Sequence, residues 1–194
     1  MGGVMIRDYH IWPELFPFLG IGDKTFADLD PRLREALIRH SAGKLEEDDF
    51  WKFYTEVTGK TIPPHEGPLL GKFFHPKMDE PTLCVVGELK SSGMRVVCGT
   101  NVIDSHYKIH TELGQYSVFD KVYASHLIGA AKPDIAFYSH ILNEEGLRAD
   151  EVFFTDDSPV NTDAASSIGI KAFDYSDAQN LRAQICSLQL LSKN

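Results

Sequence analysis

The chain has 194 residues, 43% hydrophobic and 24% charged, which is the makeup of a globular domain large enough to bury a sizeable core. A net charge of −9 and a pI near 5.3 argue against a nucleic-acid or anionic-membrane surface and leave room only for a local basic pocket, such as one for a phosphate. No apolar stretch approaches the roughly 18 residues of a membrane span, and the N-terminus lacks a basic region followed by an apolar one. Cys84, Cys98 and Cys186 are widely spaced without a CxxC, and read as reduced, mostly buried thiols of a cytoplasmic protein.

In chain order, Met1 to Ile6 reads as half a strand joined to a Gly turn. From Asp8 to Met78 the pattern is helical but interrupted by Pro13, Pro17, Pro31, Pro63, Pro64, Pro68 and Pro76. The clearest pieces are Pro31 to His40 and Glu46 to Thr58. In the second, Phe50, Phe53, Tyr54 and Val57 fall on one face at helical spacing, the mark of a packing seam in a small helical subdomain.

After Pro81 helices and strands alternate. The spacing predicts a helix over Thr82 to Ser91 with Leu83, Val86 and Leu89 inward, a strand over Arg95 to Cys98, and a helix from Ile103 to Leu113. A strand at Val122 to Ala124 follows, then a helix opened by Pro133 that buries Ile135, Tyr138, Ile141 and Leu142. Strands at Val152 to Phe154 and Ile170 to Phe173 close the pattern. Between them Ser158 and Pro159 turn the chain, and Asn161 or Thr162 is placed to cap the helix that Gly169 stops. This alternation predicts an α/β, doubly wound, parallel Rossmann-like sheet.

In such a sheet the residues just past each strand share one edge. Three strands finish in useful chemistry: Thr100 and Asn101 offer a hydroxyl and an amide to an oxyanion, Lys132 a point charge to a phosphate, and Asp156 and Asp157 two adjacent carboxylates that a divalent cation, best Mg²⁺, would reconcile. Each has a plain structural alternative: a helix cap, an exposed loop lysine, a solvated acidic turn. His106 and His110 have the four-residue spacing of a zinc pair but lack the Glu of HExxH, and read as packing or surface histidines. Neither GxSxG nor GxxxxGK[ST] occurs.

Taken together, the order Thr100-Asn101, Ala131-Lys132-Pro133 and FFTDDSPVN, followed by an AxxxG helix, resembles the haloacid dehalogenase (HAD) superfamily of hydrolases. RHSAGKLEEDDFWKFYTEVTG is similar to the helical cap that one branch, the sugar-phosphate phosphatase-like members, inserts after the first strand. The resemblance implies a core of residues 1–7 and 79–194 with a cap of 8–78. It also implies a phosphatase acting on a small phosphorylated metabolite through an aspartyl-phosphate. Thr100 and Lys132 would hold the phosphoryl oxygens, and Asn101 and the Gly3 amide would assist them. Asp157, Asp156 and the Gly2 carbonyl would hold Mg²⁺, and Asn161 stands where many members carry a second carboxylate.

Gly2-Gly3-Val4 matches the second half of the family's opening motif, so the attacking Asp is expected one residue ahead of Met1. A late start codon, a truncated noncatalytic chain and an alternative nucleophile at Asp8 each account for that. Haloacid dehalogenation by the same attack on carbon, without a metal, is the second enzymatic reading.

Overall fold

A computed structural model describes residues 1–7 and 9–190; Asp8 and residues 191–194 lie outside the described residues. The first half folds as a helical lobe: α1 (Trp12–Phe18), α2 (Phe26–Leu29), α3 (Pro31–Ser41), α4 (Glu47–Thr58) and α5 (Leu69–Lys72). Its helices start and stop on local chemistry. Thr25 and Asp28 form a reciprocal capping box at α2, Asp30 caps α3 through the Arg32 amide with Pro31 in the first turn, and Gly59, at φ +67°, ends α4.

The lobe's core is aromatic. Phe26 packs edge-on against Phe16, Phe50, Trp51 and Tyr54 with ring centroids 5.3–6.0 Å apart, over fully buried Leu15, Leu33 and Leu69. The seam of α4 differs in detail from its sequence pattern: Phe50, Trp51 and Tyr54 are buried, while Phe53 and Val57 lie at the margin. Glu47 explains the rotation, because its Oε1 accepts from both Trp51 Nε1 (3.1 Å) and the Leu70 amide (2.8 Å), turning Trp51 toward α5.

The chain passes between the lobe and the rest through a short antiparallel ribbon, β1 (Ile6–Arg7) with β2 (Lys77–Met78). Ahead of β1 the chain makes a tight turn, the Met1 carbonyl accepting from the amides of Val4, Met5 and Ile6.

The second half alternates as expected: α6 (Glu80–Ser91), β3 (Val97–Thr100), α7 (Asp104–Glu112), β4 (Lys121–Ala124), α8 (Ser125–Ile128), α9 (Ile135–Glu145), β5 (Phe153–Asp156), α10 (Pro159–Ser167), β6 (Lys171–Asp174) and α11 (Ala178–Ser187). The strands are parallel, β3 with β4 and β5 with β6, and form two separate pairs. A cavity of about 150 Å³ lies between the pairs, lined by Val96 to Gly99 on one side and Phe153 to Asp156 on the other.

β4 ends at Ala124 as expected, whereas the ends of β3, β5 and β6 fall one to two residues later than the apolar runs indicated, so Thr100 and Asp156 are the last residues of their strands. The helix after Lys132 starts at Ile135 with Asp134 as its cap rather than at Pro133, and buries Phe137 and Tyr138 while Ile135 is exposed. The inward face of α6 is Thr82, Val85 and Val86; Leu83 and Leu89 are only half-buried. At α10, Ser158 holds the cap position, with Asn161 and Thr162 inside the helix. Of the three cysteines only Cys98 is buried, and Cys84 is exposed. Among the described residues no helix is long and apolar enough to cross a membrane.

Candidate active site

The C-terminal ends of β3 and β5 and the loop carrying Lys132 converge beneath the lobe, at a cavity of about 530 Å³. Lys132 is the hub. Its Nζ donates to Asp156 Oδ2 (2.6 Å) and to the Gly99 carbonyl (3.0 Å), so one ammonium ties β5 to β3, with the lysine and the carboxylate both buried. Two of its three protons are accounted for, which leaves one for a ligand oxygen.

Asn101 fixes that lysine from behind. Its Oδ1 accepts the Lys132 amide and its Nδ2 donates to the Lys132 carbonyl, both at 2.8 Å. The Asn101 side chain is therefore spent on positioning Lys132 instead of presenting its amide to an oxyanion. Thr100 is different: its hydroxyl is buried, and its one contact among the described residues is a long 3.5 Å approach to the Asn101 carbonyl. It is free to donate into the cavity.

The two carboxylates divide. Asp156 is buried, and besides Lys132 it accepts from the Ser158 amide (3.0 Å) and Asn161 Nδ2 (2.8 Å). Burial alone pushes this carboxyl up, but the Lys132 ammonium and the three hydrogen bonds outweigh it and hold the group below the usual carboxylate value. Asn161, noted in the sequence for replacing a carboxylate, thus serves as a donor to one. Asp157 is exposed, and no hydrogen bond or ion pair engages it among the described residues.

Gly3 makes room for Asp157. At φ +81° its backbone lies so close that a Cβ there would sit 2.0 Å from Asp157 Oδ2. The Gly3 amide donates to the Ile6 carbonyl (3.1 Å), so it closes the turn and does not point at a phosphate, and Gly3 is outside the cavity lining, whereas Gly2 is part of it. Among the described residues no three His, Cys, Asp or Glu side chains cluster as a metal cage.

The roof comes from the lobe and from α7. His106 stacks flat on Phe74 (3.7 Å, 4°) and its Nε2 donates to the Leu70 carbonyl (2.9 Å); burial pushes its pKa down to about 4. His110 pairs with Gln115 Oε1 (2.6 Å). The two histidines therefore have separate partners, and they pin the lobe to the α/β half instead of forming a metal pair. Ser125 of α8 adds a second seat by donating to the Ser41 carbonyl at the end of α3. The lobe's lining residues, among them Trp12, Leu37 and Ile38, were not legible as site residues, because an apolar or aromatic side chain on an amphipathic helix looks the same whether it faces a core or a cavity.

Residues 76–174, just over half of the chain, match the haloacid dehalogenase-like hydrolase family model. Among curated proteins, sesquiterpene phosphatase astK of Aspergillus oryzae is 34% identical over 92 residues, 47% of this chain and 47% of that protein. The match thus spans about half the length of that relative.

Among solved structures, a HAD family enzyme of Bacteroides thetaiotaomicron in complex with magnesium and inorganic phosphate is 21% identical, with a TM-score of 0.69 over 91% of each chain. A predicted HAD-like family hydrolase of Porphyromonas gingivalis is 19% identical, with a TM-score of 0.74 over 98% of this chain and 93% of that one. These two likenesses concern the fold. With the family match covering the segment that holds Thr100, Lys132 and Asp156, the chain belongs to the haloacid dehalogenase-like hydrolases.

Proposed function

We propose that this protein is a Mg²⁺-dependent phosphatase of that family, acting on a small phosphorylated metabolite, with the helical lobe as a cap over the site. The observation that carries the reading is the pairing of a cation and a free hydroxyl at one sheet edge. Lys132 Nζ keeps one proton for a ligand, and the buried Thr100 hydroxyl has no strong partner among the described residues. Two such donors facing one cavity suit the equatorial oxygens of a phosphoryl group, whose transfer depends on positioning and charge neutralisation.

The residues present fit a magnesium ion of the kind held by one or two carboxylates together with substrate phosphate and water. Asp157 is the ligand with a free carboxylate, seated in a niche that a side chain at position 3 would fill. Gly2 lines the same cavity, where its carbonyl would join the ligands, and Asp156 keeps its remaining lone pair while it anchors Lys132. Magnesium would supply charge neutralisation to the phosphoryl oxygens. Lys132 and Thr100 would orient the group, Asn101 would hold the lysine in place, and the lobe would exclude water. The Aspergillus relative, a sesquiterpene phosphatase, supports the reaction class.

The test is titration of the whole chain with inorganic phosphate, with and without Mg²⁺, alongside turnover of p-nitrophenyl phosphate. Phosphate binding that requires Mg²⁺ and weakens at least about tenfold in Thr100→Val is the expected result. Binding without turnover would move the reading to a noncatalytic phosphate-binding protein, and phosphate binding indifferent to Mg²⁺ and to Thr100 would overturn it.

A further inference from the structure

The helix α3 carries two faces at once. Leu33, Ala36 and His40 are buried toward the lobe's core, whereas Arg34, Leu37, Ile38 and Ser41, spaced i, i+3, i+4, i+7, line the large cavity. On that second face Ile38 is 55% exposed, although it borders a cavity. Trp12 on α1, Leu70 on α5, Phe74 just beyond it and Ile103 continue the apolar wall above the Thr100–Lys132–Asp157 edge. The roof polar group nearest Leu70 and Phe74, His106, is held by the Leu70 carbonyl and lies flat on Phe74, so it adds a ring face to this wall.

Resting on the phosphatase reading above, we infer that the substrate is the phosphate monoester of an apolar alcohol, with its hydrocarbon part against Trp12, Leu37, Ile38, Leu70, Phe74 and Ile103. A sugar or polyol phosphate would lose its water to the stretch of wall made by these six apolar side chains, which costs affinity. A hydrocarbon chain gains there instead, and a cavity of about 530 Å³ is in the range of small-molecule sites. Arg34, His10 and Ser41 border the same space, so hydroxyl substituents on an otherwise apolar skeleton are accommodated at its rim.

The experiment is calorimetric titration of the full chain in Mg²⁺ with inorganic phosphate, glycerol phosphate and the n-butyl, n-hexyl and n-octyl phosphates, repeated on Ile38→Ser. Ile38 is exposed, so the variant should fold. The expected result is an affinity gain of about threefold to fourfold per methylene buried, no gain for glycerol phosphate over inorganic phosphate, and in Ile38→Ser a shallower chain-length dependence with unchanged inorganic phosphate affinity. Phosphate binding with no chain-length dependence, or with glycerol phosphate bound best, overturns the inference and leaves the phosphatase reading standing. Failure of every phosphate to bind removes both.

Discussion

The two halves of this molecule are held together by different physics. The helical lobe is an aromatic cluster in which Phe26 touches five other rings, and no single polar contact dominates it. The floor of the site is a network, in which Lys132, Asp156, Asn101, Asn161 and the Gly99 carbonyl each satisfy another member. A packed cluster tolerates change in proportion to the volume lost, whereas a buried network fails when one member leaves, because its partners remain without compensation. Stability and phosphate affinity should therefore separate between the halves.

The largest expected effect is in the network. Lys132→Met leaves the Asp156 carboxylate buried without its cation, and should cost about 3–5 kcal/mol in urea denaturation while abolishing phosphate binding. If stability holds, the ion pair is not what ties β3 to β5. In the lobe, Leu33→Ala should cost about 2–5 kcal/mol and leave inorganic phosphate affinity within twofold, roughly 0.4 kcal/mol. A parallel loss of affinity would mean that the two halves do not separate. Asn101→Ala, which frees the Lys132 backbone groups, should cost about 1–3 kcal/mol and weaken phosphate binding without removing it.

Acid should act on the α/β half and on its seam with the lobe. His106 has a folded pKa of about 4 against an ordinary 6.5, so the unfolded chain binds the proton first. Its contribution to stability is complete above pH 6.5 and is lost as the pH falls toward 4. His110 and His126, also depressed by burial, act in the same direction. Asp156 follows at lower pH: its carboxyl is held below the ordinary 3.8, so its contribution is complete above that value and disappears as the pH drops through the depressed one. Urea midpoints measured from pH 7 to 4 should fall, and should fall less steeply in His106→Phe, which keeps the stack on Phe74 but cannot titrate.

What the sequence revealed and what it concealed follow from the same contrast. The alternation after Pro81 announced the parallel strands, and the strand ends bearing Thr100 and Asp156 do meet the loop of Lys132 at one edge. Hydrophobic runs mark where a strand is buried and not where its hydrogen bonds stop, so Thr100 and Asp156 proved to be strand residues. Asn101 looked like an oxyanion donor because residue type alone does not tell which partner a side-chain amide will choose; the Lys132 backbone, 31 positions away, was invisible. The separation of the strands into two pairs was equally hidden, since alternation reports how many strands there are and not which edges pair.

At the small end of the stability scale lies the residue whose loss should separate binding from stability most cleanly. Asp157 is exposed and, among the described residues, without a hydrogen-bond partner, so Asp157→Asn should change stability by no more than about 0.5 kcal/mol. Titration of inorganic phosphate into wild type and Asp157→Asn at saturating Mg²⁺ therefore tests the proposed site most directly. Loss of the Mg²⁺-dependent part of phosphate binding, in a variant that unfolds at the same urea concentration as wild type, is the predicted result. Equal phosphate affinity in the two proteins would contradict the assignment of the metal to Asp157, and with it the site proposed at this sheet edge.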